Sequence, residues 1–433
     1  MKTVSFITLG CKVNQYETSA MMQSFLEKGY VQVPFGDKAD VAVVNTCTVT
    51  GESARKSRQM IRRARRANPD GLVVSCGCLS HLEGEPEGGS ADIVIGNLEK
   101  PRIVEIVETC RRHHEVTNVF QQREYEGFPA SGGTPRTRAF VKIQDGCDNF
   151  CAYCVIPYAR GRSRSRKPED VFREVRSLAE NGAKEIVFTG IHLDSYGKDL
   201  EATSLVHILE RAQQETGIHR IRLSSLEPGI IDREFIQRVR VLDKLCPHFH
   251  LSLQSGCDDT LKRMNRRYTT LQYRETAEAL RKHFPGVSLT TDVIVGFPGE
   301  DDREFRESLD FVREMGFLKV HVFPFSPLEP AAAQKMPGQV PPGVKGARSV
   351  AMIKMSTEVS RGILEEAMGK KVSVLVEQEV KDQPGHVEGH TENFIRVVFP
   401  GDDKDINSFK DVTMMEIEGE HVLGRLHREG GLY

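Results

Sequence analysis

The segment Cys147-Asp148-Asn149-Phe150-Cys151-Ala152-Tyr153-Cys154 carries three cysteines in a C-x3-C-x2-C pattern, and we call it the Cys147 loop. A [4Fe–4S] cluster normally takes four thiolates, so three closely spaced cysteines can hold three irons and leave the fourth open to a small ligand. Zinc is the alternative, but it needs a fourth ligand, and no His or Cys lies within the next several residues. The spacing therefore favours an iron–sulfur cluster.

From Arg138 onward, short β-branched segments alternate with helical segments such as Pro168–Asn181, Thr260–Lys282 and Asp301–Met315. Six such units predict a partial (β/α) barrel or a wound sheet, with active residues on the loops after the strands. The Cys147 loop follows the first strand. The predicted strands are Ala139–Ile143, Glu185–Thr189, Arg220–Ser224, Phe249–Leu253, Leu289–Val295 and Lys319–Phe323.

The first 110 or so residues predict a parallel α/β sheet with candidate strands Val4–Leu9, Asp40–Asn45 and Leu72–Ser75. Cysteines follow all three strands. The carboxyl ends of parallel strands lie at one edge of a sheet, so these thiols should converge. Buried free cysteines are the alternative interpretation. The cysteines after the strands are Cys11, Cys47, Cys76 and Cys78, and those without a partner pattern, which we interpret as structural, are Cys110, Cys246 and Cys257.

A third region begins near Gly369, where Lys371–Val380, Phe394–Phe399 and Val412–Ile417 predict short strands of a small β-barrel. Such barrels often bind single-stranded nucleic acid, although a fold alone does not establish function. Gly127–Pro135 is predicted to be a linker. The predicted domains are therefore residues 1–127, 136–366 and 367–433.

Composition excludes several classes of protein. Charged residues make up 28% of the chain and the net charge is −2, so any contact with nucleic acid must depend on local basic patches. No run of 18 apolar residues predicts a membrane helix. Ten cysteines in 433 residues are too few for a disulfide scaffold, so we expect a cytoplasmic protein with reduced thiols.

The sequence around the Cys147 loop, from Gly146 to Ser165, resembles the methylthiotransferase family of the radical-SAM superfamily. Further similar strings lie after the predicted strands, so the resemblance covers nearly the whole middle region. It implies a [4Fe–4S] cluster that binds S-adenosylmethionine (SAM) and cleaves it to a radical. The similar strings are Thr189–Ile191, Tyr196–Gly197, Arg222–Pro228, His250–Gly256 and Asp292–Glu300.

The resemblance also implies ligands for two [4Fe–4S] clusters. Cys147, Cys151 and Cys154 would hold the cluster that binds SAM, and Cys11, Cys47 and Cys78 would hold an auxiliary cluster that carries the sulfur to be donated. Cys76 is a competing candidate, but the family pattern places the ligand after a glycine. Contacts with SAM are expected from Tyr153, Gly190, Ser225, Gln254, Asp292 and Gly296.

The string Thr8–Thr18 is similar to the branch of the family that acts on N6-threonylcarbamoyladenosine in tRNA. That branch places a methylthio group on C2 of the adenine beside the anticodon. The resemblance implies an electron donor such as flavodoxin or ferredoxin, and neither a membrane nor DNA as partner. The alternatives are an enzyme acting on isopentenyladenosine or on a ribosomal protein Asp, and an iron–sulfur RNA-binding protein that senses redox state. Phe325–Ala333 departs from the family pattern, which usually has a Tyr, an Arg and a Gly-Thr pair there.

A dense basic segment follows Cys47, and its inward stripe is predicted to be Ala54, Ser57, Ile61 and Ala64. In a nearly neutral chain this segment favours contact with RNA phosphates, although a solvated basic face is the alternative. An anticodon loop presents its bases more readily than a duplex does. The candidate RNA-binding residues are Arg55, Lys56, Arg58, Arg62, Arg63, Arg65, Arg66, Arg160 and Arg162.

Overall fold

Six parallel strands form the N-terminal sheet of the computed structural model, which describes residues 1–84, 89–128 and 137–427. The sheet order is β2-β1-β3-β4-β5-β6, and apolar clusters cover both of its faces. The elements are β1 (Thr3–Thr8), α1 (Lys12–Glu27), β2 (Val31–Gln32), β3 (Val41–Thr46), α2 (Gly51–Ala67), β4 (Leu72–Gly77), α3 (Cys78–Glu83), β5 (Ile93–Ile95), α4 (Ile103–Thr109) and β6 (His113–Glu115).

The predicted parallel sheet is confirmed, and β2, β5 and β6 extend it. Those three strands have only two or three residues each, too few to show a pattern in the sequence. The predicted linker Gly127–Pro135 lies outside the described residues, apart from Gly127 and Phe128.

The middle of the chain forms an open barrel of six parallel strands. Two three-stranded sheets, β11-β10-β7 and β12-β13-β14, are joined by parallel bridges from Ile221 to Leu245 and from Leu226 to Leu251. The predicted partial barrel is therefore confirmed. Its strands are β7 (Arg138–Lys142), β8 (Gln144–Asp145), β9 (Arg164–Ser165), β10 (Glu185–Thr189), β11 (Arg220–Leu223), β12 (His248–His250), β13 (Ser288–Val295) and β14 (Lys319–Pro324), of which β8 and β9 form a separate antiparallel pair.

The helices of this region are α5 (Ile156–Arg160), α6 (Pro168–Glu180), α7 (Leu205–Ala212), α8 (Arg233–Val239), α9 (Asp258–Arg263), α10 (Thr270–His283), α11 (Asp302–Met315) and α12 (Pro342–Glu365). The single helix predicted over Thr260–Lys282 is wrong. Asn265 has a positive φ of 59°, and Thr269 begins a new helix through a capping box with Gln272. Sequence analysis missed α12 because it has exposed as well as buried apolar side chains and therefore no single stripe.

A closed barrel of five strands in the order β15-β16-β17-β19-β18 completes the chain and confirms the predicted β-barrel. Buried side chains such as Val374, Val387 and Val412 fill its interior. Arg220 of the partial barrel donates to the backbone oxygens of His390 and Ser373 at 3.0 and 2.8 Å, which joins the two barrels. The strands are β15 (Lys371–Glu379), β16 (His386–His390), β17 (Arg396–Pro400), β18 (Phe409–Glu418) and β19 (His421–Leu426). None of the described helices is long and apolar enough to cross a membrane.

Candidate active site

Three cysteines of the N-terminal domain meet at one edge of its sheet. Cys11 begins the turn into α1, Cys47 follows β3 and Cys78 begins α3 after β4. Because β1, β3 and β4 are neighbouring parallel strands, their carboxyl ends bring the three thiols close enough to influence one another electrostatically. Gly10 allows this approach, since a Cβ at that position would lie 2.6 Å from the Cys47 Sγ.

Cys76 lies on the other side of the β4 backbone. Its thiol is fully buried in the apolar core of the N-terminal domain and donates a weak hydrogen bond to the Val44 oxygen at 3.7 Å. Burial raises the pKa of this thiol to about 12. Asn97, by contrast, donates to the Cys78 Sγ at 3.8 Å and to the Ala159 oxygen at 2.8 Å. The structure therefore places Cys78, and not Cys76, beside Cys11 and Cys47.

The Cys147 loop connects β8 to α5 at the mouth of the partial barrel. Gly146 precedes it with a φ of 72°, and a Cβ there would lie 1.9 Å from the Arg162 oxygen, so only glycine fits. The Cys147 amide donates to the Gly161 oxygen at 3.0 Å, which closes the loop on itself. Arg266 donates to the Cys151 Sγ at 3.3 Å and forms an ion pair with Glu227 at 2.9 Å.

Sequence analysis missed a polar cluster that supports this loop. Asn149 donates to the Glu227 carboxylate at 3.1 Å, and His192 lies 3.6 Å from the same carboxylate. Burial alone would raise the pKa of Glu227, but the nearby His192 and the charge of Arg266 lower it to about 2. Burial raises the pKa of the neighbouring Asp194 to about 7. The quoted strings contain Glu227 but give no sign that it would meet Asn149, 78 residues away.

The two sets of thiols fit incompletely ligated [4Fe–4S] clusters. Each set offers three sulfur donors, and among the described residues Cys76, Cys110, Cys246 and Cys257 belong to neither set. Burial raises the pKa of the Cys47 thiol to about 11 and that of Cys147 to about 12, so neutral thiols are the stable form without a metal cation. Bound iron would supply the positive charge that stabilises the thiolates.

A cavity of about 220 Å³ lies between the two domains. Val49 and Thr50, just after Cys47, line one side, and Tyr153 of the Cys147 loop lines the other. The remaining walls come from Gln254, Asp292, Ile294 and the segment Phe323–Ser326. Residues that follow Cys47 and a residue of the Cys147 loop therefore line one cavity from opposite domains.

A buried ion network fixes the position of the auxiliary cysteines relative to those of the Cys147 loop. We call it the Glu17 network. The Glu17 carboxylate of α1 accepts from Arg160 at 2.8 Å and from Lys142 at 2.7 Å, and it also pairs with Lys100. Arg160 reaches Asp145 as well, two residues before Cys147. Burial alone would raise the pKa of Glu17, but the charges of Arg160, Lys100 and Lys142 hold that pKa well below its ordinary value.

The comparisons with known proteins agree with this geometry. Residues 141–312 match the radical SAM superfamily, and residues 3–96 match a family described as "Uncharacterized protein family UPF0004". The chain is 39% identical to the threonylcarbamoyladenosine tRNA methylthiotransferase MtaB of Bacillus subtilis (strain 168), over 96% of this chain and 94% of that protein. It is 35% identical to the tRNA-2-methylthio-N(6)-dimethylallyladenosine synthase of Moorella thermoacetica, over 93% of each chain.

The chain belongs to the radical-SAM tRNA methylthiotransferase family. It is an enzyme of that class, and methylthiotransferases of this kind use SAM and two [4Fe–4S] clusters. A solved structure of the radical SAM methyltransferase TsrM from Kitasatospora setae has the same fold, with a TM-score of 0.55 and 16% identity, covering 89% of this chain and 80% of that one.

The methylthiotransferase places only some of the predicted SAM contacts at the cavity. Tyr153, Gln254 and Asp292 line it. The Gln254 amide donates to the Asp292 oxygen, and the Ile294 amide donates to the Gln254 oxygen, both at 2.8 Å. Gly190, Ser225 and Gly296 lie after β10, β11 and β13 but are not part of this lining. Phe325–Ala333, the segment that departs from the family pattern, also joins the two domains, since the Ser326 hydroxyl accepts from the Gly51 amide at 2.9 Å.

The basic helix α2 buries the predicted stripe of Ala54, Ser57, Ile61 and Ala64. Arg58 and Arg65 are half-buried and pair with Glu83 and Asp92. The exposed basic residues are Arg55, Lys56, Arg62, Arg63 and Arg66, of which Arg55 and Lys56 pair with Glu52. Arg162, after the Cys147 loop, is also exposed and pairs with Asp148 at 3.0 Å.

The prediction that Arg160 contacts RNA is wrong. Its side chain has no exposed surface, because the guanidinium lies within the Glu17 network and also donates to Asn14 at 2.7 Å. Its position in a run of basic residues did not distinguish it from its exposed neighbour Arg162.

Replacing one thiol of the auxiliary set should remove one cluster. We expect Cys78→Ala to lower the iron content of anaerobically reconstituted protein from about eight to about four per chain, because two cysteines are too few to hold a cubane. Cys76→Ala is the matched control, since Cys76 is buried two residues earlier and points into the core. Equal losses of iron in the two variants would contradict the assignment.

Removing the charge of Glu17 should destabilise the protein, because three buried cations lose their shared partner. We expect Glu17→Gln to lower the free energy of unfolding of the apo-protein by about 3–5 kcal/mol, measured by denaturant titration. The exposed Glu52→Gln should have no effect. The folded pKa of Glu17 lies below its ordinary value of 4.5, so its stabilisation is present above that pH and lost as the pH falls. A Glu17→Gln protein as stable as the control at pH 7 would exclude this role.

Proposed function

We propose that this enzyme methylthiolates C2 of N6-threonylcarbamoyladenosine at position 37 of tRNA, beside the anticodon. In this proposal Cys147, Cys151 and Cys154 hold the cluster that binds SAM. The auxiliary cluster takes Cys11, Cys47 and Cys78. The observation that carries the proposal is a cavity lined from one domain by Val49 and Thr50, just after Cys47, and from the other by Tyr153 of the Cys147 loop. That arrangement suits a reaction in which a sulfur-bearing group and an activated adenine must meet.

The chemistry of the target explains why two such centres are needed. The C–H bond at C2 of adenine is not acidic, so acid–base catalysis could not activate it. When bound, SAM and the clusters supply the one-electron chemistry and the sulfur that the reaction requires. The protein orients the reacting groups and shields them from water. Tyr153, Gln254 and Asp292 line the cavity, and Glu227 and Arg266 hold the Cys147 loop in place.

Two observations support the threonylcarbamoyl branch of the family. The relatives from Bacillus subtilis and Thermotoga maritima, at 39% and 36% identity, carry that substrate in their names. The string Thr8–Thr18 is also similar to that branch. The Moorella thermoacetica relative, named for a dimethylallyladenosine product and 35% identical, makes the isopentenyl substrate the second candidate.

For the RNA interface, we propose the exposed face of α2. This helix begins at Gly51, immediately after the residues that line the cavity, so a tRNA held there would present its anticodon loop to the cavity. Arg62, Arg63 and Arg66 are exposed and form no ion pair among the described residues, which leaves their charges available to phosphates. A flavodoxin or ferredoxin would supply the electron, and the tRNA substrate implies a cytoplasmic enzyme.

The substrate assignment can be tested in a bacterial strain that lacks its own tRNA methylthiotransferases. Expression of this chain should convert threonylcarbamoyladenosine to its 2-methylthio derivative and leave isopentenyladenosine unchanged, as measured by mass spectrometry of tRNA nucleosides. The Cys151→Ala variant should produce neither product. Appearance of 2-methylthio-isopentenyladenosine alone would overturn the proposal in favour of the other branch.

The proposed RNA interface on α2 can be tested separately. We expect Arg62→Ala/Arg66→Ala to weaken tRNA binding and to reduce the slope of log K against log salt concentration by about two, because two phosphate contacts are lost. Arg306→Ala/Lys354→Ala is the control, since both side chains are exposed on α11 and α12 of the barrel. The interface would be wrong if both double variants bound tRNA with the same salt slope as the wild type.

A further inference from the structure

One face of strand β14 is open. The residues of this strand alternate, with Val320 and Val322 packed against the hydrophobic core and His321 and Phe323 exposed. Phe323 lines the cavity between the two domains, and 39% of its surface is exposed. The open face of β14 is therefore a wall of that cavity.

The neighbouring strand β13 contributes a matching face. In the register of the two parallel strands, Ile294 lies opposite Phe323, and Asp292 lies opposite His321. Ile294 and Asp292 also line the cavity. Because the carboxyl ends of the strands form the mouth of the barrel, the apolar Ile294–Phe323 pair lies nearer the mouth. The polar Asp292–His321 pair lies about 6.6 Å deeper, two residues back along each strand.

The polar pair belongs to a small cluster with hydrogen-bonding capacity to spare. His250 Nε2 lies 3.2 Å from the Asp292 carboxylate, and its Nδ1 lies 3.0 Å from the Thr290 hydroxyl. Donor or acceptor atoms of His250, Asp292 and His321 all lie within 4.8 Å of one another. Among the residues that the structure describes, the His321 ring forms no hydrogen bond. His321 and the second lone pairs of the Asp292 carboxylate are therefore available to a ligand.

The apolar pair lies in a part of the cavity that both domains line with exposed apolar side chains. Val49 of the N-terminal domain is 47% exposed and lines the same cavity as Phe323. Within the described part of the chain, the Phe323 ring stacks on no other aromatic ring and lies under no cation. Nucleic-acid bases stack on exposed aromatic rings of this kind, and such stacking removes apolar surface from water.

We infer that the adenine to be modified stacks on Phe323 and that its N6 substituent reaches the Asp292–His321 pair. The order of the two pairs matches the substrate, a flat ring followed by a chain with ureido, hydroxyl and carboxylate groups. Asp292 accepts from an N–H or hydroxyl of this chain, and His321 donates to one of its oxygens. An isopentenyl group has no polar atoms and leaves the polar pair without partners.

This inference rests on the proposed function and identifies the residues that bind the base and select its substituent. SAM also contains an adenine, and that ring has the same stacking chemistry. The two adenines are distinguished by measuring the binding of SAM and of RNA separately.

The first test uses the reconstituted holoenzyme and an anticodon stem-loop RNA that carries threonylcarbamoyladenosine. We expect Phe323→Ala to weaken RNA binding by about fivefold to 150-fold, the range for the loss of one base–aromatic stack. Phe323→Tyr, which keeps the ring, should retain most of the affinity. SAM affinity, and 5′-deoxyadenosine formation without RNA, should stay at the wild-type level. Leu271→Ala, an exposed apolar residue on α10 outside the cavity lining, is the matched control.

The second test compares this RNA with a stem-loop that carries isopentenyladenosine. We expect His321→Ala to lower the ratio of the two affinities by about threefold to tenfold, because one hydrogen bond to the polar substituent is lost. A purely structural role for His321 would weaken both RNAs equally and leave the ratio unchanged. His114→Ala, an exposed histidine on β6 of the N-terminal domain, is the matched control.

The outcomes separate the inference from the function on which it rests. Unchanged RNA affinity in Phe323→Ala, or a loss of SAM affinity instead, would overturn the assignment of Phe323 to the target base. An unchanged affinity ratio in His321→Ala would overturn the role of the polar pair. If the wild type methylthiolated only the isopentenyladenosine stem-loop, the proposed function would fail whatever the variants bind. Iron content matched to that of the wild type verifies that each variant has formed its clusters.

Discussion

The Glu17 carboxylate, enclosed by Arg160, Lys142 and Lys100, is the interaction on which the active-site geometry depends. It lies on α1, six residues after Cys11, and two of its partners, Lys142 and Arg160, flank the Cys147 loop in sequence. Buried ion pairs contribute little net stability compared with apolar packing. Removing one partner is costly, however, so such pairs favour one arrangement of the elements that carry them. The network therefore orients one domain against the other, so that residues beside Cys47 and within the Cys147 loop line a common cavity.

The interface between the domains also separates two environments. On the side of the thiols, burial favours neutral sulfur until iron is bound, so the fold and the metal depend on each other. On the side of the barrel interior, two histidines, Thr290 and Asp292 are joined by hydrogen bonds.

Much of this site could be predicted from the sequence, because the patterns that indicate it involve residues close together in the chain. The spacing of the Cys147 loop, the cysteines after the strands and the buried stripe of α2 all follow from short-range patterns. Contacts between distant residues could not be predicted: Glu17 meets Arg160 across 143 residues, and nothing in the basic run marked Arg160 as buried.

Crystals of anaerobically reconstituted enzyme, with an anomalous difference map measured at the iron edge, test the central claim most directly. The account predicts two separate iron peaks on opposite sides of the cavity lined by Val49 and Tyr153, one at Cys11, Cys47 and Cys78 and one at Cys147, Cys151 and Cys154. A single peak, or a second peak remote from that cavity, would contradict it.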